Sequence, residues 1–429
     1  MDQDHLVDKI KRIVHVTSTM GSVATRFVAH SKTPFKTDNL EYAAILTKTL
    51  SQMKGPFMKV AQFLATIPDA LPQEYADAFM ELQSQATPMG ELFVQRRLKN
   101  ELGEHWKNHF KEFNLHASFA ASLGQVHQAV LQSDQKVAVK LQYPNMKSVI
   151  DSDMLQLKFA IKAYHLFSSA LNLEDVVKEV QDRLYEELNY TQEILNIKDY
   201  KSFFKDNSSV VIPETYSSLS TDRLIVMDWI EGDHILNVSN NLGKNQVDEF
   251  GKLLFCSWYL PFYSRGWLHG DPHPGNYYVT PDNQLALLDF GCIRHFHVDF
   301  IDAVIDLYQG LKTNNPSKIK DAYMRWGFKD VSTELMEHMT EWARLLFDPL
   351  LDNSVRPIQK KAGSHGWQIA QKVHKELDRL GGIKIPREFV FMDRAAVGIG
   401  SVLMRIGAEE NWHQMFEAIL EKRKDSILM

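Results

Sequence analysis

The chain has 429 residues, 44% hydrophobic and 24% charged, enough apolar content for two lobes plus additional helices. Its net charge of −6 argues against a nucleic-acid surface as its main business. Two cysteines, Cys256 and Cys292, exclude a disulfide framework and suit a reducing compartment, so the expected location is cytoplasmic, at most peripheral at a membrane surface.

In chain order, the opening MDQDHLVDKIKRIVHV lacks the apolar core of a secretory signal. Residues 1–105 read as helices. Gly55-Pro56 opens one that places Lys59 and Gln62 on a shared face, and Pro72 opens the next, with Tyr75, Phe79 and Leu82 as its apolar stripe. On composition alone Lys59 is an ordinary surface lysine. Residues 118–127, SFAASLGQVH, read as strand–turn–strand. If that turn covers phosphate groups, Ala120, Ala121, Ser122 and Gly124 line it, and alanine in place of glycine narrows its backbone freedom. Lys136–Leu141 alternates like a strand and fits the V-A-I-K pattern, which makes Lys140 the candidate for the α- and β-phosphates of a nucleotide. A helix is expected from about Met146 to Leu171. Residues 174–199 carry Val176, Val180, Leu184 and Leu188 at four-residue spacing, which predicts one amphipathic helix with Glu193 near its end. Glu193 is the chosen partner of Lys140, with Glu186 and Glu187 competing on composition. Leu224–Trp229 reads as a strand entering a hinge, so Met227, Asp228, Trp229 and Ile230 are expected against a nucleotide base. The apolar run Leu253–Tyr263 contains Pro261 and is too short for a membrane span, so a buried helix is expected.

Residues 269–291, HGDPHPGNYYVTPDNQLALLDFG, concentrate the chemistry. Asp271 and Asn276 form D-x-x-x-x-N, and Asp289 opens Asp289-Phe290-Gly291. Phosphoryl transfer needs fixed charge near crowded phosphate oxygens, so a carboxylate beside the nucleophile (Asp271) and magnesium ligands (Asn276, Asp289) are the expected roles. Two apolar runs, Tyr277–Val279 and Leu285–Leu288, flank Pro281-Asp282-Asn283, a hairpin signal that places Asn276 and Asp289 together at its open end. Beyond residue 297 the pattern is helical, through Asp299–Lys312, Thr333–Phe347 and Phe389–Ile406. The seventeen histidines show no metal-binding spacing.

The alanine-rich loop ending in GQVH, VAVK-x-Q-Y-P at 137–144, ELNYTQE at 187–193, HGDPHPGN and LLDFG together resemble the UbiB/AarF (ADCK) family of atypical kinases, from about residue 50 to the end. Lys59-Val60-Ala61-Gln62 is similar to that family's K-x-G-Q. The resemblance implies an α+β, protein-kinase-like bilobal fold with a helical N-terminal extension (1–105), a small lobe with an inserted helix (106–232) and a large lobe (233–429). It implies ATP and magnesium as cofactors, slow ATPase activity, and a role in ubiquinone or other isoprenoid-lipid metabolism. The implied partners are a lipid or quinone precursor, the membrane surface and enzymes of quinone biosynthesis. By the same resemblance Lys59 and Gln62 enter the active site, Glu187 faces Lys59, and Glu193 pairs with Lys140. Three positions depart from the pattern: Ala61, Phe119 for the first alanine of the loop, and Asn189 for an aspartate. Two other classes share parts of these motifs. A small-molecule phosphotransferase of the aminoglycoside or choline kinase type shares HGD-x-x-x-x-N but lacks the extension and the GQVH loop. A nucleotide-gated scaffold without turnover would retain the same residues.

Overall fold

The computed structural model of the chain describes residues 88–120, 123–165, 173–328, 332–359 and 387–427. Lys59, Gln62 and Ala61, with the loop residues Ala121 and Ser122, lie outside the described residues. The chain forms two compact units. One runs to Gln192 and takes back Thr215–Trp229; the other comprises Glu193–Glu214 and Ile230–Met429.

The first unit is built on an antiparallel sheet. After helix α1 (Glu91–Leu102) come β1 (Phe110–Phe113), β2 (Phe119–Ala120), β3 (Gly124–Leu131) and β4 (Lys136–Gln142). Helices α2 (Met146–His165) and α3 (Leu173–Glu187) follow. Helix α4 (Tyr190–Phe203) and β5 (Val210–Val211) precede β6 (Leu224–Asp228), which returns to this sheet. The strand order is β1-β3-β4-β6, with β2 also pairing with β3. Period-two alternation decides what each face does. Ala129, Leu131, Val137, Val139, Leu141, Leu224 and Val226 bury one face against Val94 and Leu98 of α1 and against Trp106 and Phe110. Lys140, Ala138 and Met227 belong to the other face. The expected helix from Met146 is present, and Met146, Ile150 and Met154 pack with Leu184 of α3, Leu123 and Tyr143.

The single helix expected over 174–199 is in fact two, α3 and α4. The four-residue spacing of Val176, Val180, Leu184 and Leu188 stops at the boundary, where Asn189 follows. Its side-chain oxygen accepts from the backbone N–H of Gln192 at 3.1 Å, the N-cap geometry that starts a new helix. Glu193 therefore stands in the first turn of α4 rather than at the end of a long stripe.

In the second unit, β7 (Asp233–His234), α5 (Ile235–Ser239) and α6 (Lys244–Arg265) lead to β8 (Trp267–His269), β9 (Tyr277–Val279) and β10 (Leu285–Leu287). β9 and β10 pair antiparallel with Leu287 opposite Tyr277, and Asn283 takes a left-handed φ of 58° in the turn, as the sequence predicts for this hairpin. β7 adds to β9, and β5 adds parallel to β10. β11 (Ile293–His295) pairs with β8. Then come α7 (Val298–Lys312), α8 (Pro316–Arg325), α9 (Thr333–Leu351), β12 (Arg356–Pro357), α10 (Arg387–Ile406), β13 (Glu409–Glu410) and α11 (Trp412–Ile427). The apolar run around Pro261 is the second half of α6, whose Phe255 and Tyr259 stack and pack against Trp412 and Phe416 of α11. Among the described residues no helix is long and apolar enough to cross a membrane.

Candidate active site

In the second unit the 269–291 stretch folds into one hydrogen-bonded frame. The β9–β10 hairpin ends with the Leu288 N–H donating to the Asn276 carbonyl at 3.1 Å, which sets Asp289 next to Asn276 along the chain's return. His269 ties the two motifs together: its Nε2 donates to the Asp289 carbonyl at 2.8 Å, and its Nδ1 accepts from the Asp271 N–H at 3.4 Å. That pattern assigns the ring proton to Nε2. The Trp258 indole N–H, from α6, donates to the His269 carbonyl at 3.2 Å and anchors this frame to the helical core. The Asn276 amide nitrogen donates to the Asp271 carbonyl at 3.0 Å, closing the D-x-x-x-x-N loop on itself. Behind it, Tyr277 is buried, and burial first, then the nearby Asp271 charge, hold its hydroxyl well above the usual tyrosine range.

The Asp289-Phe290-Gly291 turn is held from both sides. Asp289 Oδ1 accepts from the Gly291 N–H at 2.9 Å. Phe290 is fully buried against Tyr200 of α4, with ring centroids 5.1 Å apart. Asn196, also on α4 and buried, donates to the Phe290 carbonyl at 2.8 Å. The buried Glu193 carboxylate lies beside the same turn: a Cβ built on Gly291 would stand 3.6 Å from Glu193 Oε2 and 3.3 Å from Asp289 Oδ1. Two carboxylates and the Asn196 amide thus gather around one short turn. From another side, α10 rests on the Asp271–Asn276 loop so closely that a Cβ on Gly398 would stand 2.6 Å from Pro272 Cγ.

The first unit carries Lys140, half-buried on the sheet face away from the α1 core. Its Nζ stands 5.3 Å from the ring centroid of Tyr190, a cation–π arrangement with a buried ring. Tyr190 lies inside the ELNYTQE segment yet carries no assignment from sequence, because only the tertiary fold brings it to Lys140. Gly124 is where Tyr190 and β4 close in: a Cβ there would meet the Leu141 carbonyl oxygen at 2.5 Å and the Tyr190 hydroxyl at 2.9 Å. The glycine is required by strand packing, whatever its contact with a ligand. Ala120 is half-buried in β2.

Of the residues expected to enter a hinge, Met227 is buried in β6 opposite Ala138. The Asp228 carboxylate accepts from Tyr216 at 2.9 Å and from Gln135 at 3.0 Å, so its side chain is committed within the unit. The Trp229 N–H donates to the Lys136 carbonyl at 3.1 Å, and Ile230 opens the second unit. Glu187 is the last residue of α3.

The Gln and His of GQVH do not face the Lys140 side. Gln125 and His127 are fully buried on the α1 face, each alternating with Val126. Gln125 Oε1 accepts from the Met89 N–H at 2.7 Å, and its Nε2 donates to the Met89 carbonyl at 3.3 Å and to His127 Nε2 at 2.8 Å. His127 Nδ1 then donates to the Asn114 carbonyl at 2.8 Å. Every polar atom of the two side chains is used, and the segment before α1 is clasped to β3. Burial lowers the His127 pKa below the usual imidazole value, against backbone hydrogen bonds that raise it.

The donor chemistry suits a hard divalent cation. With its nitrogen spent on the Asp271 carbonyl, Asn276 offers its amide oxygen, and the Gly291 N–H fixes the Asp289 carboxylate. Among the described residues no three His, Cys, Asp or Glu side chains form a protein cage for a metal. A carboxylate and an amide alone match Mg²⁺, which keeps water and shares its coordination with phosphate.

The model of the ABC1 atypical kinase-like domain matches residues 81–323. An Arabidopsis thaliana protein described as an uncharacterized aarF domain-containing protein kinase, chloroplastic, is 35% identical over 62% of this chain and 37% of its own length. An uncharacterized Clostridium pasteurianum protein from the hydrogenase 1 5′ region is 27% identical over 94% of this chain and 74% of its own. The mitochondrial atypical kinase COQ8 of Saccharomyces cerevisiae is 30% identical over 60% of this chain and 51% of its own. The chain thus spans about a third to a half of the length of the plant and yeast relatives. The structure of Rv3197 from Mycobacterium tuberculosis, solved with erythromycin, superposes with a TM-score of 0.60 over 88% of this chain and 95% of that one, at 23% identity, a likeness of fold.

Proposed function

The chain belongs to the ABC1 atypical kinase-like family, and on that premise we propose that it binds ATP with Mg²⁺ and hydrolyses it slowly, in support of ubiquinone or other isoprenoid-lipid metabolism. The observation that carries the nucleotide part is the single frame in which His269 links Asp271 to Asp289 while Asn276 closes on Asp271. Mg²⁺, when bound, neutralises phosphate charge. Asn276 and Asp289 are the residues that would hold it, and Asp271 would accept a nucleophile's proton. Lys140 would hold the phosphates and Glu193 would orient it. Lys59, Gln62 and Glu187 keep the roles that the family resemblance implies, as proposals. The lipid part rests on the motifs VAVK-x-Q-Y-P, ELNYTQE and HGDPHPGN and on the likeness to the yeast atypical kinase.

The test is ATP hydrolysis by the purified chain with Mg²⁺, alone, with liposomes, and with a substituted phenol as quinone-precursor mimic. Slow turnover that rises with either additive supports the reading. Rapid phosphorylation of an aminoglycoside, choline or a generic peptide would overturn it.

A further inference from the structure

The junction between α3 and α4 is fastened to the strand face that carries Lys140. β3 and β4 pair Gly124 with Gln142 and Val126 with Lys140. Residues paired across a sheet, or two apart along a strand, share a face, so these four form one block on the Lys140 side. The buried Gln142 side chain donates from Nε2 to the Leu188 carbonyl at 3.0 Å, which ties the end of α3 to this block. Asn189 then caps α4 by accepting from the Gln192 N–H. Tyr190 comes next and is 2% exposed, with its hydroxyl closed against Gly124. Its ring lies beneath the Lys140 ammonium, 5.3 Å from Nζ to the centroid. Both residues belong to the first unit.

A lysine ammonium ends a flexible four-carbon stem and has much rotamer freedom to lose when it binds a phosphate. The face of an aromatic ring attracts the ammonium through the ring quadrupole, more strongly where water is excluded. Lys140 is half-buried and Tyr190 fully buried, so the attraction acts in partly desolvated surroundings. The Gln142 hydrogen bond and the Asn189 cap fix the backbone on either side of the ring, so the platform is rigid where the lysine stem is not. A neutral ring places the ammonium without cancelling its charge, which remains for phosphate.

We propose that Tyr190 is a positioning residue for Lys140, holding its ammonium by a cation–π contact in the place from which it meets the nucleotide phosphates. This rests on the nucleotide reading given above and adds to it a residue without a role in that reading. It also gives the Gln of VAVK-x-Q and the Asn of ELNYTQE a shared purpose, since both secure the ring. When the ring no longer attracts the ammonium, only a fraction of the chains hold Lys140 in the competent rotamer, and the apparent affinity falls by that fraction.

The experiment is calorimetric titration with ATP and Mg²⁺ of full chains carrying tyrosine, phenylalanine, or phenylalanine with one, two or three ring fluorines at position 190. Tyr190→Phe keeps the ring face and should bind ATP like the parent. Fluorine draws electron density from the ring with little change in its shape, so affinity should fall stepwise with each fluorine, to a loss on the order of tenfold for three. A ring that served packing alone would bind ATP alike across the fluorinated series, because its shape and apolar area are kept. Tyr190→Leu deletes a buried side chain along with the π face, so the graded series is the decisive measurement. Equal affinity across that series, or a loss already complete in Tyr190→Phe, overturns the positioning role and leaves the nucleotide reading in place. A parent chain that does not bind ATP with Mg²⁺ overturns both.

Discussion

Gln125→Ala is the sharpest perturbation of the GQVH motif. The substitution removes both hydrogen bonds to Met89 and the partner of His127 Nε2. Met89 is exposed, so water can replace Gln125 at its backbone groups. His127 is fully buried, and its orphaned Nε2 has no such recourse. An unsatisfied buried acceptor costs about 1–3 kcal/mol, and the lost packing of the side-chain methylenes adds roughly 1 kcal/mol. A loss of about 2–4 kcal/mol is expected from urea denaturation monitored on the first unit. His127→Ala should cost a similar amount, and the double variant much less than the sum, since both break one network. Additive losses would refute the clasp. The same pair sets a pH dependence. His127 is held below the usual imidazole pKa by burial, with the His116 charge acting in the same sense, so the unfolded chain takes up its proton first as pH falls. Stability from this group is complete above the unfolded value of about 6.5 and declines below it, by up to about 1.4 kcal/mol per pH unit until the folded group titrates. Protonation would set an N–H against the Gln125 NH₂, and flipping that amide would break the clasp on Met89. His127→Ala should flatten this acid limb; a limb identical to the parent's would contradict the assignment.

Lys140→Ala and Glu193→Ala should each depress ATP turnover, with the double variant no worse than the poorer single one, as measured by steady-state hydrolysis; additive losses would remove Glu193 as the partner of Lys140. Asn189→Ala should destabilise the start of α4 by about 1 kcal/mol in chemical denaturation, whereas Asn189→Asp, which also caps, should keep the parent's stability. Asn196→Leu should lower stability by about 1–3 kcal/mol by stranding the buried Phe290 carbonyl, and should weaken Mg²⁺-dependent nucleotide binding beyond what partial unfolding explains.

Local patterns made much of this fold readable. Period-two alternation at 136–141 and the VAVK match locate Lys140 on a strand, and β4 carries it on the face opposite the apolar core. The two short apolar runs around Pro281-Asp282-Asn283 specify the hairpin that brings Asn276 and Asp289 together. The α3–α4 break was hidden because the apolar stripe reaches Leu188, right up to the break, and a single side-chain cap then starts a new helix. Gln125 and His127 are polar residues of the GQVH motif that nothing local marks as buried. They are buried because each satisfies the other and the backbone, a pairing that no local signal announces. Tyr190 against Lys140, Asn196 on Phe290 and Phe119 on Trp229 join residues 50, 94 and 110 positions apart, so tertiary folding alone reveals them.

The central claim is that Asp289 and Asn276 present a magnesium-dependent nucleotide site on this frame. Titration of the parent and of Asp289→Asn with ATP, in the presence of Mg²⁺ and then of EDTA, tests it most directly. The parent should bind ATP with Mg²⁺ and lose that affinity in EDTA, and Asp289→Asn should bind with Mg²⁺ no better than the parent does in EDTA. An Asp289→Asn chain that retains the parent's full magnesium-dependent affinity would contradict the account.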